Sequence, residues 1–404
     1  MSSPLGNALI GQSGGPTAVI NQSLIGVLEA AVADPRIGSV YGALHGVKGI
    51  LEGDLIDLTQ QDPAEFDRIA ATPGAALRSV RKKPAAEEAE RVVEALDAHD
   101  VRFLFYIGGN DSAETALLLL DAARARGQQL QVIHVPKTVD NDLMETDHCP
   151  GFGSAARFVA LAHQGDDMDN RSLPGVKINV IMGRHAGWLT AASALARHDE
   201  GSGPHLVYVP ERVFDMDAFL EDVAGSMERH GRCIISVSEG IHRADGTLIG
   251  AGEERDSHGN VQLSGSGALG DLLSMRIKAA LGKSTRVRAD TFGYLQRSYP
   301  GTVSDQDALE AREVGRRGVA YALGDDRPSG SVVIRRAAGD VYAPEYALAP
   351  LENLAQKTRV LPEEFLRGNN DVSPAFIDWL RPLAGALPQP GLLRCPPVGA
   401  RVSS

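Results

Sequence analysis

The chain has 404 residues, 43% of them hydrophobic and 23% charged, the balance of a folded globular protein rather than a disordered one. At about 150 residues per domain, that length accommodates two to three domains. The 40 Lys and Arg against 52 Asp and Glu leave a formal charge of -12. This argues against a general nucleic-acid or anionic-membrane binder, because both partners demand a basic face.

Three widely spaced cysteines, Cys149, Cys233 and Cys395, make neither a disulfide framework nor a thiolate zinc site. No Lys or Arg precedes Arg36, so no signal-peptide n-region is expected, and no apolar run approaches the roughly 20 residues that cross a bilayer. The expectation is a cytoplasmic enzyme.

In chain order, Val- and Ile-rich runs predict strands at 7–11, 101–107, 131–135, 177–182, 205–209 and 233–237. Amphipathic patterns between them predict helices over 86–98, 113–125, 186–196 and 217–228. Apolar strands alternating with helices indicate parallel sheet covered on both faces. In such sheets ligands bind at the loops leaving the carboxyl ends of the strands. From about 325 onward proline becomes frequent, and the segment reads as a carboxyl-terminal extension with a small β element at 330–334 and a frayed end.

Five of the expected strand ends carry chemistry. Gly11-Gln-Ser-Gly14-Gly15, with Thr17 opening a helix, suits anion binding by backbone N–H groups, although a tight turn explains the glycines equally well. Gly108-Gly109-Asn110-Asp111-Ser112 permits close approach of a phosphate, with Asp111 either bridged by a metal, excluding a competitor, or simply capping a helix. Thr138-Val-Asp140-Asn-Asp142 sets two carboxylates at i, i+2, on one side of an extended segment. One of the pair suits a general base and the other a Mg²⁺ ligand; a solvated acidic loop is the plainer alternative. Lys137 just before them suits a phosphate. Met182-Gly183-Arg184 and Ser238-Glu239-Gly240 follow two further strands, and Arg78, Arg81, Lys82, Lys83, Arg286, Arg288 and Arg297 supply cations, for which solvated surface is the plainer alternative except where Gly and apolar neighbours flank Arg184 and Arg297.

Two motifs mislead. Gly282-Lys-Ser-Thr lacks the first glycine of a P-loop, because residue 277 is Ile277. Gly265-x-Gly267-x-x-Gly270 matches the dinucleotide fingerprint, with Asp290 twenty residues on, but follows a short, half-polar stretch at 261–264. It leaves a dinucleotide-binding oxidoreductase as the alternative from another class.

The ordered set of loops, with Gly74…Arg81 and Arg288-x₄-Gly293-Tyr294-Leu-Gln-Arg297, resembles the phosphofructokinase family over roughly 7–325, in particular its pyrophosphate-dependent branch. The resemblance implies an α/β fold of two doubly wound, Rossmann-like three-layer domains with a catalytic cleft between them, plus the carboxyl-terminal extension. It divides the chain into a donor domain (1–145 with about 290–305), a sugar-phosphate domain (146–289 with about 306–325) and the extension (326–404). It implies transfer of a phosphoryl group from diphosphate to the 1-hydroxyl of fructose 6-phosphate, giving fructose 1,6-bisphosphate and phosphate with Mg²⁺; an ATP-dependent phosphofructokinase is the alternative within the family.

By matching position, Asp140 is the general base, with Lys137 and Arg184 in the catalytic set. Gly14, Gly15, Arg81, Asp111 and Lys137 hold the donor. Thr138, Asp142, Met182, Gly183, Arg184, Glu239, Arg288, Tyr294 and Arg297 hold the sugar phosphate. Arg288 crosses a subunit interface, which implies a homodimer or homotetramer; Lys177 stands nearest the family's second interfacial arginine. ATP-using relatives carry glycines at the positions of Asp111 and Lys137, so this pair implies the diphosphate donor. The family's usual metal-binding aspartate is Asn110 here, so the resemblance leaves Mg²⁺ to Asn110, Asp111 and Asp142.

Overall fold

The computed structural model describes residues 4–250, 267–339, 341–393, 395 and 398. Two sheets organise it. The larger runs in the order β11-β10-β5-β4-β1-β2-β3, with β1 at Gly6–Gln12, β2 at Ile37–Ala43, β3 at Leu55–Asp57, β4 at Val101–Gly108, β5 at Gln131–Pro136, β10 at Gly330–Arg336 and β11 at Pro344–Ala349. Its five inner strands are parallel, and β3 and β11 close the edges antiparallel. The smaller sheet, order β7-β8-β6-β9, is wholly parallel: β6 is Val176–Ile181, β7 Leu206–Tyr208, β8 Cys233–Ser238 and β9 Val287–Thr291.

Strands β4 and β8 are buried along nearly their whole lengths, because helices cover both faces and every side chain meets apolar surface. Helices Ile20–Ala33 and Asp305–Ala322 pack one face of the larger sheet, and Ala86–Ala98 and Asn110–Ala125 the other. In the smaller half, Met216–His230 and Ala268–Leu281 cover one face, and Phe152–Ser172 with Pro374–Ala384 the other.

Three expectations need revision. Helix Asp305–Ala322, which the sequence division gave to the smaller domain, lies along Ile20–Ala33 under the larger sheet. The two backbones approach where glycines face each other: a Cβ on Gly26 would stand 2.0 Å from the Arg312 carbonyl oxygen, and one on Gly315 2.4 Å from that of Ser23. The carboxyl-terminal segment is no appendage either. Its strand β10 joins β5 and pairs with β11, and its helix Pro374–Ala384 enters the core of the other half through Phe376, Leu380 and Leu383. Apolar residues at 376, 380 and 383 give the helical spacing that the abundance of proline masks. Finally, the first helix begins at Ile20 rather than at Thr17, whose hydroxyl instead accepts from the Val19 N–H at 3.3 Å. The stretch 261–264 and Gly265 lie outside the described residues; Gly267 precedes helix Ala268–Leu281.

Candidate active site

In the larger sheet the chain steps from β1 to β2 on one side and later returns to β4 on the other. A crevice therefore opens where the loops after β1 and β4 part. The smaller sheet repeats the arrangement about β6, flanked by β8 and β9. Six loops with the chemistry of the sequence motifs thus leave the carboxyl ends of strands in the two halves.

The first set lines a cavity of about 440 Å³ with Ser13, Gly14, Gly15, Arg81, Asn110, Asp111, Lys137, Thr138, Asp140 and Asp142 among its walls. Gly14 has φ +78°, a conformation side chains disfavour, and a Cβ there would stand 3.2 Å from Lys137 Nζ. Lys137 is buried and donates to the Gly15 carbonyl at 2.7 Å. Burial, then the nearby Arg297 and Arg81, lower its ammonium to about 8 against the pull of Asp140 and Asp142. Three cations therefore surround the Gly14–Gly15 turn: an added Cβ on Gly15 would meet Arg297 Nη1 at 3.0 Å and Arg81 Nη2 at 3.9 Å. Lys82 and Lys83 also line the cavity and pair with Glu88 and Glu114, whereas the side chain of Arg78 turns to His45.

Helix Asn110–Ala125 takes Gly109 as its N-cap, so Asp111 is not the cap; it is an exposed residue of the first turn and lines the cavity. Asn110 donates through Nδ2 to Asp142 Oδ2 at 2.7 Å, and its Oδ1 is buried with no hydrogen-bond partner. Thr138 Oγ1 donates to Asp142 Oδ1 at 3.2 Å and accepts from the Asp140 N–H at 3.1 Å. Asp140 Oδ1 is likewise buried without a partner. Burial first, then Asp142 and Glu239, raise the Asp140 carboxyl to about 7, with Lys137 and Arg297 pulling the other way.

The smaller half supplies the second set. Glu239 is buried and accepts from the Gly183 N–H at 3.4 Å, while Ser238 Oγ donates to the Gly183 carbonyl at 2.6 Å. These contacts lace the loops after β6 and β8 together and carry Met182, Gly183 and the partly buried Arg184. After β9, the guanidinium of Arg297 lies over the Tyr294 ring at 4.4 Å. Arg288 sits apart, exposed on β9 with Nη1 donating to its neighbour's carbonyl at 3.1 Å. Lys177 is engaged by Asp166 at 3.5 Å and by Asp290.

Two residues of this region escaped the sequence reading. Gln296 is buried and accepts from the Met182 N–H at 3.3 Å, joining the loops after β6 and β9; it lies inside a segment already singled out, but only its burial marks it. Arg359 reaches the 138–147 loop from the proline-rich tail, and nothing local announces it.

Among the described residues, no three His, Cys, Asp or Glu side chains stand ready to hold a metal ion. The donors present are oxygens: the unpartnered Asn110 Oδ1, with the Asp111 and Asp142 carboxylates in the same cavity. That set fits Mg²⁺, which takes one or two protein oxygens and fills its remaining positions with phosphates and water.

A glycine turn ringed by cations, a buried carboxylate with a free oxygen, and a second loop set in the other half together define a phosphotransferase of the two-sheet α/β type. Residues 7–321 match the family described as Phosphofructokinase, and the chain belongs to that family. A pyrophosphate--fructose 6-phosphate 1-phosphotransferase of Rhodospirillum rubrum is 49% identical over 385 residues, covering 94% of each chain. One from Xanthomonas campestris is 41% identical, covering 90% of this chain and 87% of its own. The crystal structure of a pyrophosphate-dependent phosphofructokinase from Nitrosospira multiformis superposes with a TM-score of 0.86 at 34% identity, covering 96% of this chain and 94% of the other.

Proposed function

We propose that the enzyme transfers a phosphoryl group reversibly between diphosphate and the 1-hydroxyl of fructose 6-phosphate in the cytoplasm, forming fructose 1,6-bisphosphate and phosphate. The loops of the larger sheet hold the donor and those of the smaller sheet hold the sugar phosphate. The observation that carries the donor assignment is the pairing of Lys137, buried against the Gly14–Gly15 turn, with Asp111 in the same cavity. Asp111 places negative charge and bulk where the remainder of a nucleotide triphosphate would extend, while Lys137 neutralises the phosphate that leaves.

Asp140, through its unpartnered oxygen, takes the proton from the 1-hydroxyl. The freed oxygen forms a bond to the near phosphorus of diphosphate as the bridging P–O bond breaks, and the electron pair departs with phosphate. Thr138 and Asn110 hold Asp142 beside the base, and burial above all raises the proton affinity of Asp140 towards what a base at neutral pH requires. Arg184, Met182, Gly183 and Glu239 place the sugar, and Tyr294 grips its 6-phosphate with Arg297, whose guanidinium also reaches the Gly14–Gly15 donor turn. When bound through Asn110 Oδ1 and the neighbouring carboxylates, Mg²⁺ supplies charge neutralisation on the donor. Most of the acceleration comes from positioning and cationic stabilisation of charge spread over the phosphoryl oxygens. Arg288, exposed on the edge strand β9, completes the phosphate site of a second subunit in a homodimer or homotetramer.

Among the described residues no helix is long and apolar enough to cross a membrane. A coupled assay with diphosphate or ATP as the sole donor tests the reading: turnover requires diphosphate, and turnover with ATP alone overturns it.

A further inference from the structure

The base loop, 138–147, is clasped from behind by a residue that lies beyond the span matched by the family. Arg359 donates from Nε and Nη2 to the Asn141 carbonyl at 3.3 and 3.0 Å. Its Nη1 donates to the Asp147 carbonyl at 2.7 Å and also to that of Thr146. Its own backbone N–H donates to the Asp142 carbonyl at 2.8 Å. The side chain thus spends its rigid fork of donors on the main chain of one loop, a geometry that a lysine does not reproduce.

What it holds is a turn with two left-handed residues. Asn141, between the two carboxylates, has φ +56°, and Glu145 has φ +63°. Both lie in the left-handed region, which asparagine enters readily but glutamate does not. Asn141 is fully buried and its Oδ1 accepts from the Cys149 N–H at 2.9 Å, so the turn is fixed on one side by its own side chain and on the other by Arg359. Without the clamp the Asn141 carbonyl loses its partner, and the Asn141–Cys149 hydrogen bond is left to hold the turn from one side.

Arg359 is itself well anchored. Its guanidinium lies over the Trp188 ring at 4.4 Å, and Trp188 Nε1 donates to the Arg359 carbonyl at 3.4 Å. Two residues on, the Leu361 N–H donates to Glu211 Oε1 at 2.8 Å, the oxygen that also accepts from the Gly187 N–H at 2.8 Å. The same short tail segment therefore touches the base loop of one half and, through Glu211, the end of the loop after β6 in the other.

We propose that Arg359 is a positioning residue for phosphoryl transfer, clamping the Asn141, Thr146 and Asp147 carbonyls so that Asp140 is aimed at the acceptor hydroxyl. The inference rests on Asp140 being the base. Arg359 touches no atom proposed to react and acts through the backbone of that loop, so its loss falls chiefly on kcat, with smaller effects on the KM values.

The test uses the full chain with Arg359→Lys, Arg359→Ala and, alongside, Asp140→Asn, measuring kcat and both KM values with and without added guanidinium ion at tens of millimolar. Arg359→Ala lowers kcat by roughly 10- to 100-fold, the cost of a reacting group misplaced by about 1 Å, with KM for diphosphate and fructose 6-phosphate within about threefold of the starting enzyme. Guanidinium restores part of the lost kcat in Arg359→Ala and none in Asp140→Asn. Arg359→Lys, which keeps the charge and the stem, folds and still loses about tenfold in kcat because the fork is missing.

A folded Arg359→Lys with unchanged kcat overturns the proposal, whether or not Arg359→Ala folds. So does a folded Arg359→Ala that guanidinium leaves unimproved, since that marks a purely structural role. Near-normal turnover in Asp140→Asn overturns the assignment of the base instead, and the two failures are told apart.

Discussion

Asn110 Nδ2 donates to Asp142 Oδ2 at 2.7 Å, tying the loop after β4 to the loop after β5 across the donor cavity. An aspartate at this position faces Asp142 with a second carboxylate and loses the donor. Asn110→Asp therefore destabilises the metal-free protein by about 1–3 kcal/mol, the cost of a buried acceptor left unpaired. Mg²⁺ between the two carboxylates offsets the loss. Thermal unfolding with and without Mg²⁺ checks this: the metal raises the Tm of the variant more than that of the unmodified enzyme, and equal responses contradict a metal at this place.

Asp140→Asn keeps the shape of the loop and removes the proposed base. Turnover falls by roughly 10²–10⁴-fold while fructose 6-phosphate still binds, because a positioned proton acceptor contributes about that much to rate and little to ground-state affinity. Calorimetric titration of the sugar phosphate alongside steady-state kinetics separates the two quantities.

The proposed donor assignment divides between Lys137 and Asp111. Lys137→Ala lowers kcat with diphosphate by roughly 10²–10³-fold, the loss that follows removal of one preorganised stabiliser of developing charge. Replacing both residues with glycine removes the repulsive carboxylate as well, and shifts the ratio of kcat/KM for ATP over diphosphate towards ATP by on the order of 10². An unchanged ratio assigns donor choice to other residues.

The sequence made the inner strands and most of the cavity legible for one physical reason. Central parallel strands such as β4 and β8 must be apolar on both faces, so they stand out, and the loops that follow them hold the glycines and charges that anions require. Asp140, Lys137, Asp111 and the Gly14–Gly15 turn all line one cavity, as their place at strand ends implies. Contacts between distant segments carried no such local signature. Gly26 and Gly315 seat helix Asp305–Ala322 on the larger half, yet nothing in either segment names the other. Arg359 reads as one more surface cation in a proline-rich tail until the fold lays it against the base loop. Arg288 remains on an exposed edge in the single chain, so its proposed service to a neighbouring subunit is visible only in the resemblance.

The tail also takes part in a buried ionic cluster whose charge depends on pH. His148 binds Asp147 at 2.8 Å and Glu310 at 2.5 Å; Trp379 Nε1 donates to Asp147 at 3.0 Å and Tyr342 to Glu310. Burial works against charge on the imidazole, but Glu310 and Asp147 outweigh it and push His148 up to about 9 from an ordinary 6.5. Because the folded value is the higher one, this contribution to stability is complete below about 6.5 and is lost as pH rises through about 9. Denaturant unfolding between those limits therefore shows stability declining with pH. His148→Gln removes that slope and, by leaving the buried Glu310 without its cation while Asp147 keeps Arg336 at 3.3 Å, costs about 3–5 kcal/mol at pH 6.5. A variant whose stability still falls over the same interval as steeply as the original places the titration elsewhere.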